Sequence, residues 1–190
     1  MEVQEVQFAN YLAFLSILPT SSGNGFIGAV LVLDHKGIPI EFRCTEPVRF
    51  SELQRMLYGA SFESYIGVTL CGLPLLKALE ATPNLIVVNK EFLLEIQNEI
   101  KKSVVLVMQS DGFKNNIRFS EHDLSKWEMA KPDGDNNRPV ICCCYSRSYE
   151  EVQKIVGPTR TTYLIIDLLE PFERIELAMR MLEKQDERYR

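Results

Sequence analysis

The stretch Tyr11–Thr45, YLAFLSILPTSSGNGFIGAVLVLDHKGIPIEFRCT, decides how the rest of the chain is read. Two apolar runs, Tyr11–Leu18 and Phe26–Leu33, flank a turn-forming cluster from Pro19 to Gly25. Asp34-His35-Lys36-Gly37 then leads into a segment that alternates strictly, with Ile38, Ile40, Phe42 and Cys44 on one side and Pro39, Glu41, Arg43 and Thr45 on the other. A period of two is the mark of a half-buried strand, and a glycine able to take positive φ is what a tight hairpin needs. The stretch therefore predicts a three-stranded antiparallel meander over residues 11–45, with its continuously apolar second strand in the middle.

Working outward, Ser51-Glu52-Leu53-Gln54 has the form of a capping box, followed by Leu53, Met56 and Leu57 on one stripe and Gly59 as a stop. Residues 65–70 suit either a strand or a buried helix, and Pro74 sits at the first turn of a helix reaching about Glu80. Leu85-Ile86-Val87-Val88, an amphipathic helix N-capped by Asn89, and Val104-Val105-Leu106-Val107 read as a minimal parallel βαβ unit. Residues 109–139 turn polar, with an edge hairpin expected around Ile117 to Phe119. Val140–Tyr145 is a further core strand, Ser148 to Glu151 opens a helix through about Ile155, and the last helix starts near Pro171. Its stripe of Phe172, Ile175, Ala178, Met179 and Leu182 reads as core. Nothing repeats, and no linker splits the chain. The expected fold is a single α/β domain over residues 1–190, a mixed sheet of about five to seven strands with helices on its faces.

Of 190 residues, 46% are hydrophobic and 25% charged, the usage of a globular protein. Lys and Arg number 21 against 26 Asp and Glu, a net charge of −5, which disfavours nucleic acid as a partner except through a local basic patch. Lys101, Lys102, Lys114 and Arg118 are the candidates for such a patch. The uncharged stretch 6–33 is broken by the Pro19–Gly25 cluster into runs too short to span a bilayer. Glu2 and Glu5 stand where a secretory signal carries basic residues, so a cytoplasmic location and no membrane contact are expected. Cys142, Cys143 and Cys144 are consecutive in a strand and point to alternate faces, so with Cys44 and Cys71 they read as reduced, buried thiols. Without a C-x-x-C pair and with only His35 and His122, a zinc site is disfavoured.

Gly23-Asn24-Gly25-Phe26-Ile27-Gly28 matches G-x-G-x-x-G in letters, but it feeds a strand rather than a helix and reads as a hairpin loop. Asp133, Asp135 and Asn137 resemble the opening of a calcium loop, yet Cys144 stands where a bidentate Glu is required. The most informative set is Glu41, Arg43 and Thr45 on one sheet face, with Arg55 and Tyr58 on the capped helix beyond. Arginine's planar fork suits a carboxylate, a phosphate or a protein surface, while cross-strand ion pairing on a solvated face is the plainer reading.

The motifs EFRCT, LYG and LLEPFERI, within Leu33–Val48, Leu57-Tyr58-Gly59 and Leu168–Ile175, resemble those of a group of small bacterial α/β proteins without an assigned activity. That resemblance implies a bacterial, cytoplasmic origin. In outline the hairpin and helices are also similar to roadblock and longin regulators of small GTPases, from which the βαβ unit and the cysteine strand depart. By elimination the expected function is a noncatalytic protein-binding subunit of a bacterial multi-protein assembly, in a defence or regulatory setting, with a protein partner or a second copy and no cofactor. Two alternatives stand beside it. One is a small enzyme or anion-binding module using the Arg43/Arg55 face, with Cys44 or His35 supplying chemistry; the other is a local nucleic-acid-binding subunit.

Overall fold

The computed structural model describes residues 11–109, 124–129, 139–145, 153–157, 159–160 and 166–190. Its strands are β1 (Tyr11–Pro19), β2 (Gly25–Asp34), β3 (Pro39–Cys44), β4 (Val48–Arg49), β5 (Leu85–Val88), β6 (Ser103–Gln109), β7 (Leu124–Met129) and β8 (Val140–Tyr145). All eight join one sheet in the order β3-β2-β1-β5-β6-β8-β7, with β4 paired to β2. The meander is as the alternation predicts: β1 pairs antiparallel with β2 from Tyr11 opposite Asp34 to Pro19 opposite Phe26, and β3 pairs antiparallel with β2. Gly37 turns the hairpin at φ 80, and the Asp34 carboxylate accepts from the Lys36 and Ile38 backbone N–H groups. Beyond β1 the sheet becomes parallel, β1 with β5 and β5 with β6, before β8 returns antiparallel. The mixed α/β architecture expected from sequence is the one observed.

Because side chains alternate along a strand, the sheet has two cores. Leu12, Phe14, Val87, Val105, Cys142 and Cys144 face Phe172, Ile175 and Met179 of the C-terminal helix. Phe14 and Phe172 meet edge to face at 5.6 Å between ring centres. The opposite core joins Ala13, Leu15, Ile17, Ile86, Val88 and Cys143 to Phe62, Ile66, Cys71 and Leu75, and to Leu93 and Ile96. The consecutive cysteines thus divide between the two faces, and all five cysteines are free thiols.

The helices are α1 (Glu52–Tyr58), a continuous helical run α2 over 62–78, and α3 (Glu170–Gln185). The capping box on α1 is formed: Ser51 Oγ accepts from the Gln54 backbone N–H at 3.2 Å, and Gln54 Oε1 accepts from the Ser51 N–H at 2.8 Å. Residues 65–70, ambiguous in sequence, are helical, within a wide π turn over Tyr65–Gly72 in which the Leu73 N–H reaches back five residues to the Val68 carbonyl. The wide turn ends next to Pro74, whose missing N–H and ring bulk disfavour ordinary α-helical bonding in the turn before it, and an α-helix resumes over Leu73–Ala78 with the proline in its first turn. Two glycines let this turn press close to its neighbours. A Cβ on Gly67 would overlap the Phe92 ring, and one on Gly72 would lie 2.8 Å from both the Gly67 carbonyl oxygen and Ile96 Cδ1.

Four expectations change. The link between β5 and β6 is a 3-10 helix, Glu91–Asn98, and Asn89 does not cap it; Lys90 holds that position and the Asn89 side chain turns to β1 instead. The polar segment 109–139, in which an edge hairpin is expected only around Ile117 to Phe119, contains β7, whose Leu-Ser-Lys-Trp-Glu-Met pairs along β8 at the sheet's edge. The apolar residues of β3 are its more exposed ones: Ile40 and Phe42 are 49% and 41% exposed, whereas the Glu41 side chain is 13% exposed, and a register shift between Val32 and Leu33, which pair with Glu41 and Pro39, breaks the strict alternation at the strand's start. An edge strand is covered by whatever packs beside it, and here the residue 80–81 turn covers the polar side. Among the described residues, strands β4 and β7 raise the count to eight. The hairpin expected around Ile117–Phe119, the Ser148–Glu151 cap and the Asp133–Asn137 loop lie outside the described residues; 153–157 is helical. No helix among the described residues is long and apolar enough to cross a membrane.

Candidate functional site

After β1 the chain turns to β2 on one side, and after β5 it runs to β6 on the other, so the carboxyl ends of these parallel neighbours splay into a crevice. Ligands of open α/β sheets bind at such points, because the connecting loops part there and leave room between them. The β1–β5 register pairs Leu15 with Val88, which sets Ser16 beside Asn89. Ser16, 1% exposed, donates its hydroxyl to Asn89 Oδ1 at 3.1 Å. On the other face of the same strand ends lies a pocket of about 220 Å³. Ile17, Pro19 and Ile66 form its apolar walls, Phe26 and Phe92 its aromatic ones, and Glu63 and Lys90 bring charge of both signs.

Phe26 also belongs to an aromatic cluster that extends outward from the pocket. It stacks on Phe50 at 5.5 Å and lies 6.4 Å from Phe62, while Phe50 and Phe62 meet edge to face at 4.7 Å. Tyr58 stands 6.5 Å from Phe62 and stacks on Tyr65 at 4.8 Å, with ring planes 21° apart. The Arg55 guanidinium lies 6.0 Å from the Phe50 ring centre and 5.7 Å from that of Phe62, within cation–π range. The hydrogen bond with Tyr65 holds the Tyr58 phenol above its ordinary value.

The residues singled out in sequence fall into separate clusters. Glu41 accepts from the Ala81 N–H at 2.9 Å and from the Glu80 N–H, and it pairs with Arg43, which also reaches Glu80 at 3.1 Å. The Ala81 N–H, with Arg43 and the Glu80 N–H assisting, holds the Glu41 carboxyl below its usual range. Glu41 and Arg43 line an open groove of about 450 Å³ with Tyr11, Ile40 and Thr82. Thr45 Oγ1 accepts from the Gly28 N–H at 3.0 Å. Arg55 and Tyr58 instead join the aromatic cluster. Burial pushes the Cys44 thiol up, with the Tyr189 hydroxyl as its hydrogen-bond partner, and His35 is exposed in the β2–β3 turn. Lys102 Nζ donates to the Pro83 carbonyl at 2.8 Å and Lys101 is exposed; Lys114, Arg118 and His122 lie outside the described residues. Among the described residues no three His, Cys, Asp or Glu side chains converge as metal ligands.

Sequence reasoning missed Ser16, Glu63, Lys90 and Phe92. The signal was available in part, since a βαβ unit following a meander implies a crevice beside the meander's first strand. Which side chains line it depended on a register that the sequence does not display.

No protein-family model and no curated protein matches the chain. Among solved structures it is similar to Bacillus subtilis endonuclease V, with TM-score 0.52 and 13% identity over 84% of this chain and 71% of that one. A Ciona intestinalis endonuclease V bound to a 23mer DNA containing inosine gives TM-score 0.47 and 16% identity, covering 90% and 86%. Marinitoga piezophila Argonaute with a guide RNA gives 0.45 and 10%, covering 87% of this chain and 27% of that one. The likeness in fold to Bacillus subtilis endonuclease V speaks against the reading by elimination, a noncatalytic protein-binding subunit with nucleic acid disfavoured as its partner. Elimination failed because it sought chemistry in contiguous motifs, whereas positions 16–19, 63–66 and 89–92 meet only in the fold. The chain is similar in fold to endonuclease V of Bacillus subtilis.

Proposed function

We propose that this protein binds a nucleic acid at the carboxyl-end crevice of β1 and β5. The observation that carries the reading is the placement of Lys90 and the aromatic-walled pocket at that crevice, in a chain whose fold resembles a nuclease's. Lys90 is exposed and lies two residues past the end of β5, so it stands where a backbone phosphate can be met as the nucleic acid crosses the sheet's end. The Ser16 hydroxyl, buried and bonded to Asn89 Oδ1, ties the end of β1 to the residue after β5 and so fixes the strand ends that carry the pocket. The function assigned to the site is accordingly binding.

The test is fluorescence anisotropy with labelled DNA and RNA oligonucleotides at about 50 and 200 mM salt, the range over which phosphate contacts lose affinity steeply. Lys90→Ala should weaken binding and reduce the slope of log K against log salt by about 0.7 for single strands or 0.9 for duplex, the contribution of one phosphate contact. No binding of any oligonucleotide at about 100 μM protein in low salt, the weak limit of nonspecific association, defeats the reading.

A further inference from the structure

We propose that the strand taken is single-stranded, and that the exposed Tyr58–Tyr65 pair is the platform on which its bases stack as it approaches the crevice. This rests on the nucleic-acid reading and names the form of ligand for that site.

Charge comes first. The chain carries a net −5, and Glu52 on α1 and Glu63 beside Phe62 lie near the cationic Arg55 and Lys90. Phosphate attraction is therefore modest, and the affinity must come from base faces. A duplex hides those faces in its own stack; a single strand presents them.

The second argument is the surface itself. Helix α1 is held by its capping box yet buries no residue. Leu53, Met56 and Leu57 are 65%, 70% and 76% exposed, and Tyr58 and Tyr65 are 41% and 36% exposed. Gly59, at φ 54, lets the chain turn sharply after Tyr58, and Tyr65 comes back to stack on it. Two flat rings with accessible area form a surface for π-stacking, which every base can use. The third argument is continuity. From the tyrosine pair the rings run through Phe62 to Phe26, and Phe26 is a wall of the crevice pocket. Platform and pocket form one path.

The experiment measures anisotropy of a labelled oligo-dT and of a duplex of equal length on the wild-type chain, on Tyr58→Leu and Tyr65→Leu, on Tyr58→Phe, and on Lys90→Ala. Leucine keeps apolar area and the fold but removes the π-face, and thermal melts verify folding. The single strand should bind more tightly than the duplex. Each leucine variant should weaken it at least about fivefold with the salt slope unchanged, since stacking is worth about 1–3 kcal/mol per base and involves no counterion. Tyr58→Phe, which keeps the ring, should retain most of the wild-type affinity. Equal affinity for the two forms, indifferent to the tyrosines but dependent on Lys90, overturns this inference and leaves the nucleic-acid reading standing. Absence of binding overturns both. A protein dimer that dissolves on Leu57→Glu, with single-strand affinity unmoved, assigns the patch to protein and overturns the platform.

Discussion

Gly67→Ala is the sharpest test of how the crevice is built. Residue 67 lies in the π turn of α2, and a Cβ there overlaps the Phe92 ring, with Phe92 Cδ2 at 3.0 Å and Cζ at 3.3 Å. Two effects oppose each other. Alanine gains about 1 kcal/mol over glycine in a helix, while overpacking costs about 1–3 kcal/mol. Phe92 is half-buried and walls the pocket, and an overlap with its ring requires the ring itself to shift, so the steric cost should exceed the propensity gain. The net expectation is a loss of about 1 kcal/mol, a fall in Tm of about 2–4 °C for a chain of this size. Phe92→Leu removes the obstructing ring. In a double-mutant cycle by urea denaturation, it should cost less in the Gly67→Ala background than in the wild type, with a coupling of at least about 0.5 kcal/mol. Stabilisation by Gly67→Ala with strictly additive effects would refute the close-approach argument. Since Phe92 walls the pocket, the same variant should alter oligonucleotide affinity without touching a charged group.

Further outcomes follow from the same contacts. Burial pushes the Cys143 thiol up to about 11 and Cys144 up to about 12, against an ordinary value of 9.0. Below pH 9 folded and unfolded chains both keep these protons and stability is intact; above it only the unfolded chain releases them, so Tm should fall toward pH 11. Cys143→Ala should flatten that fall. Under native conditions an alkylating reagent should reach Cys44, the half-buried thiol, before the other four, as peptide mass spectrometry would show. Ser51→Ala removes half of the capping box, worth about 0.5–2 kcal/mol to the helix. Because α1 buries nothing, hydrogen exchange at residues 53–58 should quicken while the global Tm barely moves. Glu41→Gln should lower Tm at pH 7, since the carboxylate's held-down value contributes stability above its ordinary 4.5. The gap to wild type should close as pH falls through the folded value.

The meander was legible because its information is local. Strict alternation in residues 38–45, the turn at Asp34–Gly37 and the unbroken apolar run of β2 each constrain the backbone within a few residues. The Ser51 capping box and the α3 stripe are local signals too, and both formed as read. β7 escaped because Leu-Ser-Lys-Trp-Glu-Met has too few apolar residues to announce a strand; pairing with β8 makes it one. The exposed apolar side of β3 was misjudged for a related reason, since alternation marks two faces without saying which will be covered.

The candidate site shows the same division more strongly. Glu41 and Arg43 were visible as a charged sheet face, and the structure ties them to the Glu80–Ala81 turn. Arg55 and Tyr58 were visible as helix residues, and the structure carries them to the aromatic cluster beside the crevice. By itself the sequence determined the meander, the capped α1, the apolar stripe of α3 and the burial of the cysteine strand, because those depend on neighbours one to four residues away. Only the tertiary structure decided that β5 lies parallel beside β1, bringing Ser16 to Asn89 across 73 positions and Phe26 into one pocket with Lys90. Strand pairing is chosen by how well whole apolar faces bury together, and no residue carries that choice alone.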